Sequence, residues 1–223
     1  DKKVVNYSDN NIITLIGTIV SDKQFSHEVY GEGFYTFDLE VPRLSENSDI
    51  IPVTASERIL DENFKVGQKV IIDGQFRSYN NYENEKNKLV LTVFVKDMKK
   101  VEEISEDQNP NEIILDGFIC KKPIYRTTPF GREIADILLA VNRAYNKSDY
   151  IPCIAWGRNA RFCQNMSVGE RIKIWGRIQS RLYEKKFEDG TSETRRAYEV
   201  SISKLEVEKD ENIESSNVEE QNA

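Results

Sequence analysis

Apolar side chains in this chain recur at every second position in short runs, the period of β-strands rather than helices. The clearest run is 148–157, S-D-Y-I-P-C-I-A-W-G, where six of ten residues are apolar or aromatic. On a strand, Ile151, Cys153 and Ala155 share one face, small and aliphatic, fit for a core. Tyr150, Pro152, Ile154 and Trp156 share the other, which presents two large rings either to solvent or to a neighbouring layer. The same alternation predicts strands over 113–120, 133–142, 171–180 and 197–205, with a hairpin loop at Asp189-Gly190. Polar 158–164, with Ala160 and Phe162, predicts a short helix between the third and fourth of these strands. The first half reads alike, with strands over 12–20, 34–41, 50–55, 68–77 and 89–95 and a short piece at 57–62.

The likeness of the halves extends to single residues. Sliding the chain by one hundred places Asn11, Ile13, Leu15, Gly17 and Ile19 on Asn111, Ile113, Leu115, Gly117 and Ile119. Ser48, Asp49, Ile51, Pro52 and Ala55 recur as Ser148, Asp149, Ile151, Pro152 and Ala155. Gly31 meets Gly131 and Arg43 meets Arg143; after a two-residue shift Gly74 meets Gly176 and Ser78 meets Ser180. So long a period fits a duplicated domain and not a solenoid. Five strands with one short helix between the third and fourth is the plan of the OB fold, a small Greek-key barrel. The expected fold is all-β, two tandem OB folds. Val70, Ile72, Ile172 and Ile174 are its expected inward residues. The expected divisions are 1–104 for a degenerate, acidic first domain, 105–110 for a linker ending in Asn-Pro, 111–208 for the second domain, and 209–223 for a disordered acidic tail.

Composition sharpens the contrast between the halves. The net charge of −7 conceals an uneven distribution. Residues 1–107 hold 13 Lys and Arg against 20 Asp and Glu, whereas 111–208 hold 17 against 13. The second half has ten arginines and the first has three. No apolar run approaches the ~18 residues that span a bilayer, and no basic start followed by an apolar core marks a signal peptide. Cys120, Cys153 and Cys163 are odd in number and lack C-x-x-C spacing, so reduced thiols in a cytoplasmic protein are expected. The single histidine, His27, lies in a loop-like stretch, which weakens a His-based triad or a zinc site. No nucleotide loop, paired catalytic carboxylate or Cys/His cluster points to an enzyme, and no cofactor or metal is expected.

The second half resembles the bacterial single-stranded DNA-binding protein family. The likeness rests on N-E-I-I-L-D-G at 111–117, K-P-I-Y-R-T-T-P-F-G at 122–131, L-A-V-N-R at 139–143, D-Y-I-P-C-I-A-W-G at 149–157 and V-G-E-R-I-K-I-W-G-R-I-Q-S-R-L-Y at 168–183. The first half matches more weakly. The resemblance implies a non-catalytic OB-fold binder of single-stranded DNA, used in replication, recombination and repair. It also implies that bases stack on Tyr145, Tyr150, Trp156 and Tyr183, with basic contacts from Arg158, Arg177 and Arg181 and from Arg143 at the end of L-A-V-N-R. Family members commonly present four barrels, so a two-barrel chain is expected to form a homodimer. The chain ends N-V-E-E-Q-N-A and not in the family's usual acidic tip, which leaves replication and repair proteins open as partners.

The residues agree with that chemistry independently. A binder of single strands without sequence preference needs cations for phosphates and flat rings for bases. Tyr145, Tyr150 and Trp156 have Ser45, Ile50 and Ser56 as first-half counterparts, and Tyr183 falls near Asn81. If the second-half rings were core, similar bulk should stand at 45 and 56, so an exposed binding face is expected. Trp175, beside Lys173, either extends that face or sits in a barrel–barrel contact. Lys121, Lys122, Arg126 and Arg132 are phosphate contacts or a solvated face; Arg43, Arg77, Tyr79 and Tyr82 are ordinary surface or a residual contact. The runner-up function is a primosomal-type accessory protein acting through protein contacts; a third is an OB-containing enzyme or tRNA-binding module.

Overall fold

The computed structural model describes residues 9–83 and 86–208; the expected tail at 209–223 lies outside them. The first half runs β1 (Asn11–Ile19), β2 (Gln24–Val29), β3 (Glu32–Pro42), β4 (Ser48–Ser56), β5 (Lys69–Glu83) and β6 (Lys86–Lys100). The second runs β7 (Asn111–Ile119), β8 (Ile124–Thr127), β9 (Glu133–Arg143), β10 (Lys147–Trp156), α1 (Arg158–Cys163), β11 (Arg171–Lys186) and β12 (Ser192–Val207). Each half closes on itself. β1 pairs with both β3 and β5, and β4 meets β6 in a short parallel contact at Val53–Val93. β7 with β9 and β11, and β10 with β12 at Cys153–Val200, repeat that closure. These are the two expected OB barrels.

Alternation supplies the cores. Ile13, Leu39, Val53, Val70, Ile72 and Phe76 are buried in the first, and Ile113, Leu139, Ile151, Cys153, Ile172 and Ile174 in the second. The strands must bend to close, and glycine permits it. A Cβ on Gly117 would run into the carbonyl oxygen of Ala140, and one on Gly17 into that of Glu40. All three cysteines are free, with Cys153 and Cys163 buried.

Three features differ from the sequence reading. Each barrel carries an additional edge strand, β2 or β8, hairpinned onto the next strand. All six residues of β2 are exposed, so no alternation marked it; His27 is on this strand, stacked on Phe34 with ring centroids 4.9 Å apart. The last two strands of each barrel are also longer than predicted, because their polar outer arms pair only with each other, as in Lys185–Glu193. The first barrel has turns where the second has α1: Leu60 N–H bonds the Ser56 carbonyl, and Phe64 N–H that of Asp61. The connection there, 57–68, is two residues shorter than 157–170.

β1 and β7 pair antiparallel with Ile13 opposite Ile113, so the barrels share one continuous sheet related by a local two-fold axis. The axis is visible in the hydrogen bonds. Ile16 N–H donates to the Pro110 carbonyl and Asp116 N–H to the Asn10 carbonyl, both at 2.8 Å. Asn11 exchanges two bonds with the Phe76 backbone, and Asn111 two with that of Ile178. Asp49 accepts the Ser180 N–H across the seam at 3.0 Å, and Asp149 accepts that of Ser78 at 2.9 Å. Arg43 donates Nε and an Nη to Asp49 at 2.8 and 2.6 Å. Arg143 stands 3.1 Å from Asp149 without hydrogen-bond geometry.

That difference sets the two carboxyls apart. Burial pushes Asp49 up, but the Arg43 hydrogen bonds, the Ser180 N–H and the charges of Arg43 and Arg177 outweigh it and hold it below the usual carboxylate range. At Asp149 burial wins over the Ser78 N–H and the charges of Arg143 and Arg77, and the carboxyl sits above that range. The stabilisation from Asp49 is complete above the unfolded carboxylate value of about 3.9 and is lost as pH falls through the lower folded value. Asp149 has the opposite sign, since its ionisation costs stability as pH rises through the carboxylate range. Asp49→Asn is therefore expected to cost ~1–3 kcal/mol at pH 7, more than Asp149→Asn, with a smaller gap at an acid pH below the carboxylate range. Denaturant unfolding at both pH values measures this; equal costs at pH 7 contradict it.

Candidate nucleic-acid interface

β9 and β10 form a hairpin whose register puts Trp156 opposite Ile134, Pro152 opposite Leu138 and Tyr150 opposite Ala140. Directly opposed residues share a face, so Tyr150 and Trp156 project from the same outer surface while Ile151, Cys153 and Ala155 point inward and are buried. Tyr150 is 41% exposed and Trp156 half-buried. The Tyr150 N–H is held by Ser78 Oγ of the first barrel at 2.7 Å, so the seam positions the strand that carries the ring. Trp156 Nε1 donates to Ser201 Oγ at 3.1 Å, which fixes its edge, and the Arg132 guanidinium lies 4.5 Å from the ring centroid.

Tyr145 occupies the β9–β10 loop, 94% exposed, with a left-handed φ of 64°. A bulky residue held there costs free energy, and its ring touches nothing that would offset the cost. Tyr183 lies on the β11 arm, opposite Arg195 and partly exposed. The rings of 145, 150 and 183 are exposed, whereas that of 156 is half-buried beneath Arg132.

The cations divide. Arg158, at the start of α1, is exposed. Arg181 is itself exposed, 3.4 Å from buried Glu199, whose carboxylate also accepts from Gln179 Nε2 and so keeps a partner if the arginine turns outward. Arg143 faces buried Asp149, and Arg177 bonds Gln179 and stands 3.6 Å from buried Asp49. Those two belong to the seam: moving either toward a ligand would strand a buried carboxylate. Trp175 sits between Lys173 and Lys204, 5.1 and 4.5 Å from its centroid. It is opposite Ile114, which is opposite Ile12, on the outer face of the sheet shared by both barrels. Arg126 pairs with Asp136 at 3.0 Å.

The first barrel corrects one step of the sequence reasoning. Ser56 is small and bonds Glu32, yet the bulk absent there arrives from a neighbouring strand. Phe94 of β6 corresponds to Ser201 and lies against Phe34, with centroids 5.7 Å apart, beneath the Arg77 guanidinium at 4.0 Å. The second barrel has a ring at 156 and Ser at 201; the first has Ser at 56 and a ring at 94. The missing ring at 56 therefore did not by itself establish exposure at 156. Sequence reasoning also passed over exposed rings, Phe130 and Phe187 among them. Phe130 is 95% exposed. Phe187 ends the β11 arm between Lys185 and Arg195. The signals were F-G at 130–131 matching Y-G at 30–31, and K-K-F at 185–187.

Between the barrels a cleft of about 700 Å³ is bounded by Arg43, Leu44, Glu106, Pro110, Arg177 and Ser201. It opens next to the residue that holds the Trp156 edge, and Glu106 and Asp107 give one wall negative charge. No helix among the described residues is long and apolar enough to cross a membrane.

Residues 110–208 match the single-strand binding protein family. Among curated relatives, the chain is similar to the single-stranded DNA-binding protein of Clostridium tetani, 41% identical over 88 residues, 36% of this chain and 59% of that protein. Single-stranded DNA-binding protein B of Bacillus subtilis is 34% identical over 84 residues, 33% of this chain and 72% of that protein. The chain spans 59% of the Clostridium protein's length and 48% of that of single-stranded DNA-binding protein 1 of Staphylococcus aureus. Among solved structures, the wild-type single-stranded DNA binding protein from Thermus aquaticus superposes with a TM-score of 0.70 at 18% identity, covering 90% of this chain and 93% of that one. That likeness extends the shared fold across both barrels.

If Tyr145 is held for a ligand and not for the fold, Tyr145→Asn is expected to leave the melting temperature unchanged or raised, since Asn tolerates the left-handed region, while weakening oligo-dT binding. A lowered melting temperature would assign the ring a structural role.

Proposed function

The chain belongs to the single-strand binding protein family, and from that premise we propose that it binds single-stranded DNA without regard to sequence, mainly through its second barrel. The observation that carries this reading is the row of accessible rings at Tyr145, Tyr150 and Trp156 along one hairpin, in the half whose charge is positive. Each ring offers a face to any base, worth ~1–3 kcal/mol per stacked base. Tyr183, Trp175 and Lys173 border the row, and Arg158 and Arg181 supply cations for phosphates. Arg143 and Arg177 act as positioning residues that hold the seam beneath it. The work of the protein is then to cover single strands during replication, recombination and repair in the cytoplasm, without catalysis. A role as a primosomal-type accessory is not favoured, because open rings serve bases and not protein contacts alone.

The divisions that accompany this reading are a first domain at 1–104, a linker at 105–110 and a main binding domain at 111–208. A homodimer brings four barrels together. Its support is the outer face of the shared sheet, where Ile12, 41% exposed, stands opposite Ile114 across the seam. Mass photometry is expected to find twice the chain mass, and Ile12→Glu with Ile114→Glu to halve it; a monomeric wild-type protein contradicts the homodimer.

Trp156→Ala and Tyr150→Ala are each expected to weaken oligo-dT binding by ~1–3 kcal/mol, with Ser56→Ala and Ile50→Ala near wild type. Log affinity should fall with log salt by roughly −0.7 per phosphate contacted. Fluorescence titration across a salt series measures both. Equal losses in the two barrels would refute the division of labour, and salt-independent or absent binding would refute the function.

A further inference from the structure

We propose that Phe130, at the tip of the β8–β9 hairpin, is a further stacking residue that extends the row of rings beyond Trp156. Its role depends on the reading that the second barrel binds single-stranded DNA. The tip is a built turn. Thr128 N–H bonds the Arg132 carbonyl and Gly131 N–H the Thr128 carbonyl, each at 2.8 Å, and Thr128 Oγ accepts the Arg132 N–H at 3.1 Å. Gly131, with φ 79°, provides the left-handed residue that closes it. The turn needs nothing from the ring, which is 95% exposed.

A solitary exposed ring is ordinary on a protein surface; its setting here is what assigns it a ligand. Arg132, two residues on, lays its guanidinium over Trp156. Ile134, directly across from Trp156, is four residues from Phe130, a separation of at most about 13 Å. Along the hairpin the order becomes Phe130, Trp156, Tyr150, Tyr145, so a strand leaving Trp156 at that end meets Phe130 next. Arg132 stands beside it, and Arg126, exposed in its pairing with Asp136, stands on its other side, cations that suit a polyanion whose bases need flat faces.

The first barrel provides an internal control. Tyr30 stands at the equivalent tip, fully exposed and followed by Gly31. Its neighbours along the hairpin are Glu28 and Glu32, and no Trp follows it on β4, since Ser56 stands at that place. An acidic tip without a platform behind it repels phosphate, so Tyr30 is outside the DNA path.

Fluorescence anisotropy with dT oligomers of increasing length at low salt tests the assignment. Phe130→Ala is expected to weaken binding about fivefold or more for oligomers long enough to pass Trp156, with little effect on the shortest. Phe130→Tyr and Phe130→Trp retain affinity, Phe130→Leu behaves as Ala, and Tyr30→Ala matches wild type. Wild-type affinity of Phe130→Ala at every length, while Trp156→Ala still weakens binding, overturns the role of Phe130 and leaves the function intact. Retained affinity in Phe130→Leu would also overturn it, since bulk and not a flat ring would then suffice. A wild-type protein that fails to hold dT overturns both readings together.

Discussion

The seam between β1 and β7 governs this molecule. Ile13 faces Ile113 across an antiparallel pair, and the two barrels grow outward from that point as one sheet. Strand pairing alone could slip by a residue pair, but the side-chain contacts prevent it. Asp49 reaches the Ser180 backbone in one direction and Asp149 that of Ser78 in the other. Both carboxylates are buried, so neither can abandon its partner without leaving an unpaired charge in a dry site. Ser78 also grips the Tyr150 N–H. The same contacts that join the barrels therefore hold in register the strand whose rings face solvent.

Duplication left each half with the residues of the seam but freed the outer faces to diverge. Asn11 and Asn111, Arg43 and Arg143, Asp49 and Asp149, Ser78 and Ser180 are repeated because each half must present the same edge to the other across a local two-fold axis. Outside the seam that requirement lapses. The first barrel filled its outer surface with Phe34 against Phe94, laid Arg77 over Phe94 and stacked His27 on Phe34, a cluster satisfied by its own members. The second kept Trp156 at the surface and accumulated arginine. Cation–π contacts occur in both, but Arg77 covers a ring packed within its own barrel, whereas Arg132 covers one at the head of an open row.

The parts of this arrangement that alternate or repeat were legible in the sequence. Inward residues such as Ile72 and Ile172 follow from period two, and the OB plan from the order of runs around one short polar segment. Comparing the halves pointed to exposed rings at 145 and 150, but misled at 156, where the first barrel keeps its ring at 94 instead of 56. What the sequence concealed depends on neighbours distant along the chain. β2 and the outer arms of β11 and β12 are exposed on both faces, so they carry no hydrophobic period. Arg143 and Arg177 look like free cations until the fold brings them to Asp149 and Asp49. The exchange of a ring between positions 56 and 94 involves two strands that meet only in a short parallel contact.

The central claim is that the barrels are equal partners in structure and unequal in binding. Hydrogen–deuterium exchange of the whole protein, with and without saturating oligo-dT, tests it in one measurement, because backbone protection reports each segment separately. New protection is predicted in the β9–β10 loop around 143–147, along β10 and in the β11–β12 arms, with the first barrel's β3–β4 loop and β6 unchanged. Protection appearing equally in both barrels, or in the first alone, would contradict the account.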